Sequence, residues 1–520
     1  MVRSMNVAWW VERWAGLHPD KVAVIFEKER ISYAELDARA SRTACWFQGQ
    51  GIEKGDRVAV LLHNCPEFLE LYLACARMGA IFVPLNFRLA PPELDYILKN
   101  CRPRLFVYGT DLLPTVTPID VSEYRPPLVT AKVGPGPGLA DSVNYQTDTA
   151  AFCDHKPFLT ALLGPADPEE PQVIMYTSGT TGNPKGAVLS HRKTFFNCLN
   201  AEIFFSLSFD DVMLITLPMF HSGGLFIMGT PCLYKGATQL IHAKFDPLST
   251  YQDMETYRVT KFLGVPTLFR ALIKVDPTSR GDLSSLKVCA VGGEKVTPEF
   301  IAECARSGFR LRQIMGQTET SILLWASEDE TRKRPGTVGR PVFHAEVRLV
   351  DAGGAPIAHG QVGELTARGS ILMKEYFRDP DKTEDTIRGN WLFTGDLARQ
   401  DEDGYFYLVD RARDMYITGG ENVYPAEIEK VLEEDPRVEE VAVVGVPDET
   451  WGEAGWAFVI LKQGTTVTQE DLLGICRARL ARYKLPKKIV FCDDFPRTPL
   501  GKARKFLLRE QILSDLDTFG

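Results

Sequence analysis

Ten consecutive residues carry the densest chemistry in this chain: Thr177-Ser178-Gly179-Thr180-Thr181-Gly182-Asn183-Pro184-Lys185-Gly186. Gly179, Gly182 and Gly186 allow backbone N–H groups to turn inward around an anion. Thr177, Ser178, Thr180 and Thr181 add hydroxyl donors, and Lys185 adds a positive charge. In composition this is a phosphate cradle. It is not a Walker A loop, because Pro184 stands where that motif needs glycine and Gly186 follows the lysine. A polar surface hairpin draws on the same kinds of residue, but four hydroxyls, three glycines and a lysine in ten residues exceed what a turn requires.

The cradle follows the apolar run Val173 to Tyr176 and precedes Ala187-Val188-Leu189, so it is read as strand–loop–strand. Upstream, Ser32-Tyr33-Ala34-Glu35 has the form of a capping box, with Leu36, Ala40 and Ala44 at helical spacing behind it. Asp56 to Leu62 reads as a strand, Pro66 to Met78 as a helix and Ala80 to Pro84 as a second strand. Strand, helix and strand within about 30 residues predict right-handed βαβ units around a parallel sheet. Gly134-Pro135-Gly136-Pro137-Gly138 reads as a surface loop.

From about Gly336 to Gly369 the pattern changes to short alternating strands. Val347 to Val350, the turn Asp351 to Gly354, and Gly363 to Ala367 form hairpin material. After Arg411 it changes again. A helix opens at Pro425, strands are expected over Val438–Val446 and Trp456–Leu461, and a helix over Gln469–Tyr483. This last hundred residues is apolar enough to form its own small α+β domain. The fold class is therefore α/β, a large N-terminal domain of βαβ-type layers with a β-rich subdomain, followed by a small α+β domain.

Composition narrows the function. The 520 residues carry a net charge of −9, against a nucleic-acid partner bound by bulk positive charge. The 42 glycines and 33 prolines show no collagen-like or low-complexity organisation. The 11 cysteines are scattered with no CxxC, which favours reduced thiols in a cytoplasmic protein over a disulfide framework. The eight histidines form no HExxH, so a histidine-built metal site is not expected. Val212 to Tyr234 carries no formal charge, but Pro218, His221, Gly223, Gly224 and Pro231 make it a poor membrane helix.

Taken with five further segments, the cradle resembles the phosphate-binding signature of the adenylate-forming superfamily, which includes acyl- and aryl-CoA synthetases, luciferases and the adenylation domains of peptide synthetases. Met315-Gly316-Gln317-Thr318-Glu319 resembles its aromatic-Gly-x-Thr-Glu motif, and Trp391 to Asp396 the motif whose aspartate holds the ribose. Asp410 to Asp414 resembles the hinge, Gly419 to Pro425 the loop after it, and Pro499-Leu500-Gly501-Lys502 the catalytic-lysine motif. Order and spacing agree over nearly the whole chain. The resemblance implies an ATP- and acyl-binding domain over about 1–412, with the β-rich part at about 336–411. A hinge at Arg413 and a mobile domain over 414–520 would follow.

The resemblance implies a role for each residue, and chemistry supports it. Thr177, the residues through Gly182, and Lys185 would hold the ATP phosphates. Asp396 is acceptor-only, which suits two ribose hydroxyls, although an aspartate after Gly395 also suits a plain turn. Glu319 is a hard oxygen ligand for Mg²⁺ shared with the phosphates, and Thr318 a donor beside it; a solvated helix-start glutamate is the alternative. Gly292, Gly293 and Glu294, after the apolar Val288 to Val291, would let backbone approach adenine, although a plain turn draws on the same residues; Met315 would pack on the adenine, and Gly316 and Gln317 would bind the nucleotide beside it. Arg411 would reach the ribose. Lys502, among Arg497, Arg504 and Lys505, would neutralise carboxylate attack on the α-phosphate, although such clusters are usually solvated charge. Gly419, Gly420 and Glu421 would face CoA. His221, in Pro218 to Gly224, would lie beside the substrate carboxylate, where a lone histidine is otherwise simply packed.

Two positions depart from the family pattern. Met315 occupies the usual aromatic adenine-stacking position and loses the π-stack. Arg413 stands where relatives often carry Asp or Lys. The implied reaction is ATP-dependent formation of an acyl-adenylate and then an acyl-CoA, with ATP, Mg²⁺ and CoA as cofactors. Leu225 to Met228, Val265, Pro266 and Ile322 to Leu324 point to an apolar acid, fatty, alicyclic, aryl or thioether-substituted. Two other readings stay open: an enzyme loading a carrier protein, and a catalytically silent nucleotide-binding protein. Relatives occur as monomers and dimers, and a homodimer is the expectation.

Overall fold

The computed structural model describes residues 2–124, 128–152, 167–177, 183–293, 296–411, 415–496 and 503–518. Residues 178–182, Glu294, Arg413 and Lys502, all singled out above, lie outside the described residues. Two large sheets dominate the N-terminal domain. One runs in the order Glu375–Tyr376, Lys185–Ser190, Pro171–Thr177, Ile81–Pro84, Arg57–Leu61, Leu105–Gly109, Val129–Val133, Val143–Asn144. The other places Leu311–Gln317 between Val288–Val291 and Ser321–Ala326, and continues through Lys261–Gly264 and Val212–Ile215.

The expected βαβ unit is present. Strands Arg57–Leu61 and Ile81–Pro84 pair in parallel, with helix Pro66–Met78 as their crossover. Pro66 starts that helix, where its missing N–H costs nothing, and Gly79 ends it at φ 69°. Val58 to Leu61 are all buried, as a strand covered on both faces requires. The Ser32 capping box has both of its reciprocal bonds.

The sheets are not parallel throughout. Pro171–Thr177 and Lys185–Ser190 are antiparallel, as are Leu311–Gln317 and Ser321–Ala326. The first of these hairpins brackets the phosphate cradle, and the second carries Thr318 and Glu319 in its turn. A third, five-stranded sheet contains Trp391–Gln400 and Phe406–Arg411, which set Asp396 opposite Arg411 in antiparallel register.

The small C-terminal domain packs helices Pro425–Glu433, Gln469–Arg479 and Lys505–Thr518 on a sheet built around Val438–Asp448 and Gly452–Leu461. Its middle helix is shorter than its periodicity predicts. It stops at Arg479, Leu480 turns extended at φ −119°, and Arg482–Lys484 forms a separate 3₁₀ turn. The cause is a contact with the large domain. Glu93, in helix Pro91–Cys101, accepts from the Ala481 amide at 2.8 Å and from the Lys484 ammonium at 2.5 Å. Lys484 also pairs with Glu427 of its own domain at 2.8 Å, and Glu93 caps its own helix by accepting from Ala90 N at 2.9 Å. Among the described residues, no helix is long and apolar enough to cross a membrane.

Candidate active site

Side chains from three sheets meet beside the cradle. Lys185 opens the strand Lys185–Ser190 and is buried, with its ammonium 5.7 Å from the centre of the Tyr376 ring. Tyr376 reaches this place because Glu375–Tyr376 adds itself to the same strand, opposite Val188 and Ala187. Its hydroxyl donates to Glu319 Oε1 at 2.8 Å. Burial first, and the Glu319 carboxylate next, push that phenol far above its ordinary value, so it stays a donor at any working pH. Met373 N holds the Glu319 carbonyl at 2.7 Å.

Gln317 continues the chain of contacts. Its amide donates to Asp396 Oδ2 at 2.8 Å and to the Thr394 carbonyl at 2.9 Å. Asp396 is buried in its strand. The turn between Gln317 and Ser321 is closed by Gln317 N on Thr320 Oγ1 and by Thr320 N on the Gln317 carbonyl, each at 3.1 Å. Lys185, Glu319 and Asp396, selected from three distant segments, are thus linked through Tyr376 and Gln317. No local sequence signal marks Tyr376; pairing across the sheet places it.

The donor set suits Mg²⁺ held jointly with a triphosphate. Tyr376 takes Glu319 Oε1, and no described protein group bonds Oε2. The described residues contain no cluster of three or more His, Cys, Asp or Glu that could hold a metal ion. One carboxylate with phosphate and water oxygens is how this small cation is usually bound.

On the adenine side, Gly292 and Gly293 follow strand Val288–Val291. A Cβ at Gly292 would lie 2.7 Å from the Ile314 carbonyl oxygen, and Gly293 has φ 84°. Met315 is buried in its strand opposite Leu324. Arg411 is placed only by its backbone pairing with Asp396.

The small domain enters from the other side. Gly420, at φ 83°, sits against Val265, where a Cβ would come 3.4 Å from both valine methyls; a Cβ at Gly293 would meet the same valine at 3.2 Å. Beside it the half-exposed Trp451 lays its ring 3.0 Å from where a Gly419 Cβ would stand, and its carbonyl accepts from Gly419 N at 2.8 Å. Glu421 is buried. Both of its oxygens lie 3.0 Å from His221 Nε2, and Arg88 of the large domain donates to it as well. Lys430 donates to Asn183, at the edge of the cradle, at 3.0 Å. The His221 ring is therefore engaged by the small domain, a contact 200 residues apart in sequence that local motifs do not reveal. Leu225, Phe226, Ile227 and Met228 are buried in a wide π-type turn over Gly223–Gly229, and Ile322 to Leu324 are buried behind the Glu319 turn.

Burial alone would raise the Glu421 carboxyl; His221 and Arg88 outweigh it and hold it below its ordinary value of 4.5. Folded protein thus binds this proton less readily than unfolded chain. The resulting stability is complete above the ordinary value and is lost as pH falls through the lowered one. The difference in thermal midpoint between the wild type and Glu421→Gln is expected to stay level from about pH 6 to pH 5, then narrow as the solution is acidified below the ordinary value. A difference that stays constant below the ordinary value as well would remove the ion pair from the interdomain contact.

Known proteins resemble this chain over nearly its whole length. A family profile described as AMP-binding enzyme matches residues 11–377, and one described as AMP-binding enzyme C-terminal domain matches 427–502. Indoleacetate–CoA ligase of Aromatoleum aromaticum is 38% identical over 516 residues, covering 98% of each chain. A double mutant of o-succinylbenzoate CoA synthetase from Bacillus subtilis, bound with its product analogue OSB-NCoA, superposes with a TM-score of 0.84 at 28% identity, over 96% of this chain and 98% of that one. ATP-bound MatB from Rhodopseudomonas palustris gives a TM-score of 0.70 at 31% identity, over 98% of both.

Proposed function

We propose, because the chain belongs to the AMP-binding enzyme family of adenylate-forming acyl- and aryl-CoA ligases, that it activates an apolar carboxylic acid to an acyl-adenylate and then to an acyl-CoA. The observation that carries this reading is the line of contacts from Lys185 through Tyr376 and Glu319 to Gln317 and Asp396, a run of cation, hard oxygen ligand and ribose-type acceptor. In the first half-reaction a carboxylate oxygen bonds to the α-phosphorus of ATP and the bond to pyrophosphate breaks. In the second a thiolate sulfur bonds to the acyl carbon and AMP leaves.

Carboxylate and triphosphate repel each other, and this chain offsets that repulsion with cations and N–H donors. Lys185 and the cradle would bind the outer phosphates, Asp396 and Arg411 the ribose, and Gly292 and Gly293 the adenine edge. Lys502 would bring its charge to the reacting phosphate. Mg²⁺, when held by Glu319 and the phosphates, supplies further charge neutralisation there.

The described arrangement fits the second half-reaction. Gly420 lies on Val265 and Glu421 covers His221, so the small domain offers its glycine pair, which leaves room for a thiol, to the acyl end of the site. Trp451, half-exposed over Gly419, is a flat apolar surface beside that glycine pair. Trp451→Ala is expected to raise KM for CoA by about ten-fold, the scale of one lost aromatic contact, and to leave ATP–pyrophosphate exchange within about two-fold. Equal effects on both would place Trp451 in general packing.

The buried apolar residues around Phe226 and Leu323 favour a fatty, alicyclic, aryl or thioether-substituted acid. ATP–pyrophosphate exchange across a panel of such acids, with and without CoA, tests the whole reading. Exchange together with CoA thioester is the expected result. Exchange without thioester would favour loading of a carrier protein, and no exchange with any acid a silent nucleotide-binding protein.

A further inference from the structure

Lys193 is one of the few lysines in this chain with a fully buried side chain, and it takes no part in the contacts described so far. It lies in the first turn of helix His191–Phe205, where its amide donates to the capping Ser190 hydroxyl at 3.3 Å. From there the side chain runs inward. Its ammonium donates to Ser321 Oγ and lies 5.3 Å from the centre of the Phe226 ring.

Ser321 is no ordinary partner. It closes the turn that carries Thr318 and Glu319, is buried, and holds φ 54°, a left-handed conformation that a non-glycine residue adopts only under constraint. Its carbonyl oxygen occupies the space a Cβ on Gly316 would need. The turn is thus pinned on one face by Gly316 and on the other by the Lys193 ammonium. Burial lowers the Lys193 ammonium to about 7, with the nearby Glu319 opposing that shift. A packing role alone would be served by a methionine of similar length at no cost in desolvation.

We infer that Lys193 is a positioning residue for the nucleotide site: through its hydrogen bond to Ser321 it holds the Gln317–Ser321 turn so that Glu319 stands ready for the metal of the bound nucleotide. This rests on the proposed role of Glu319. The described partners of the Lys193 ammonium are Ser321 and the Phe226 ring. It acts through the turn, and only in the half-reaction that uses ATP.

Mn²⁺ binding in the presence of ATP, read from the free-ion electron paramagnetic resonance signal with the full-length protein, tests the inference apart from turnover. Lys193→Met is expected to weaken Mn²⁺–ATP binding about ten-fold and Ser321→Ala about three-fold, with the double variant no worse than Lys193→Met. Thioester formation from preformed acyl-adenylate should stay within about two-fold in all three. Unchanged Mn²⁺–ATP binding in Lys193→Met, additive losses in the double variant, or equal loss of both half-reactions would overturn the inference. If Lys193→Met does not fold, Ser321→Ala decides by the same measure. Glu319→Gln separates the two levels: if it leaves Mn²⁺–ATP binding intact, the reading of Glu319 fails, whereas loss there with none in Lys193→Met sinks only the role of Lys193.

Discussion

Lys502→Ala is expected to lower ATP–pyrophosphate exchange by about 10³-fold and to leave thioester formation from preformed acyl-adenylate within about two-fold of wild type. The asymmetry follows from where charge has to be neutralised. Only the first half-reaction forces a carboxylate against a polyphosphate; the second expels AMP from a neutral carbonyl carbon. A cation about 4 Å from the reacting phosphate, in surroundings of effective dielectric near 20, is worth about 4 kcal/mol, or close to three powers of ten in rate. Single-turnover measurements of the two half-reactions check the division. Equal loss in both would make Lys502 a structural residue of the small domain.

Gly316→Ala should be the most damaging methyl group that can be added near the site. A Cβ there would stand 1.7 Å from the Ser321 carbonyl oxygen and 2.8 Å from its carbon. Both are backbone atoms, so no side-chain rotation relieves the overlap, and the hairpin of Leu311–Gln317 and Ser321–Ala326 must open. Overpacking of this kind costs about 1–3 kcal/mol and sometimes more. A shift of about 1 Å at Glu319 costs about 10²-fold in rate. We expect both in Gly316→Ala, read from the denaturant midpoint and from ATP–pyrophosphate exchange. Gly474→Ala is the control: in helix Gln469–Arg479, with nothing within 4 Å of its Cβ, it should be stabilising by about 0.5–1 kcal/mol. Wild-type exchange in Gly316→Ala would mean that the turn is far more pliable than its packing indicates.

What could be read from sequence was what local chemistry decides. Pro66 and the apolar spacing behind it place a helix that runs from Pro66 to Met78, and Ser32 with Glu35 places a capped one. The strand–loop–strand around the cradle followed from apolar runs on either side of the glycines. Contacts made over long distances in the chain could not be read. Helix Gln469–Arg479 ends early because Glu93 pulls Ala481 and Lys484 away, and nothing near residue 480 announces that. Tyr376 between Lys185 and Glu319, and Arg88 beside Glu421, belong to the same class. Lys193 shows the opposite difficulty. A lysine in the first turn of a helix reads as a solvated charge, and only the packing of that helix against Phe226 and Ser321 makes it an interior one.

The ammonium of Lys484 lies between Glu93 of one domain and Glu427 of its own, and Glu93 meanwhile keeps the Ala90 amide. Were these surfaces to part, Lys484 would keep Glu427 as its counter-charge and Glu93 would keep the Ala90 amide, so each retains a partner within its own domain. A junction of this design would open without the penalty that an orphaned interior lysine imposes.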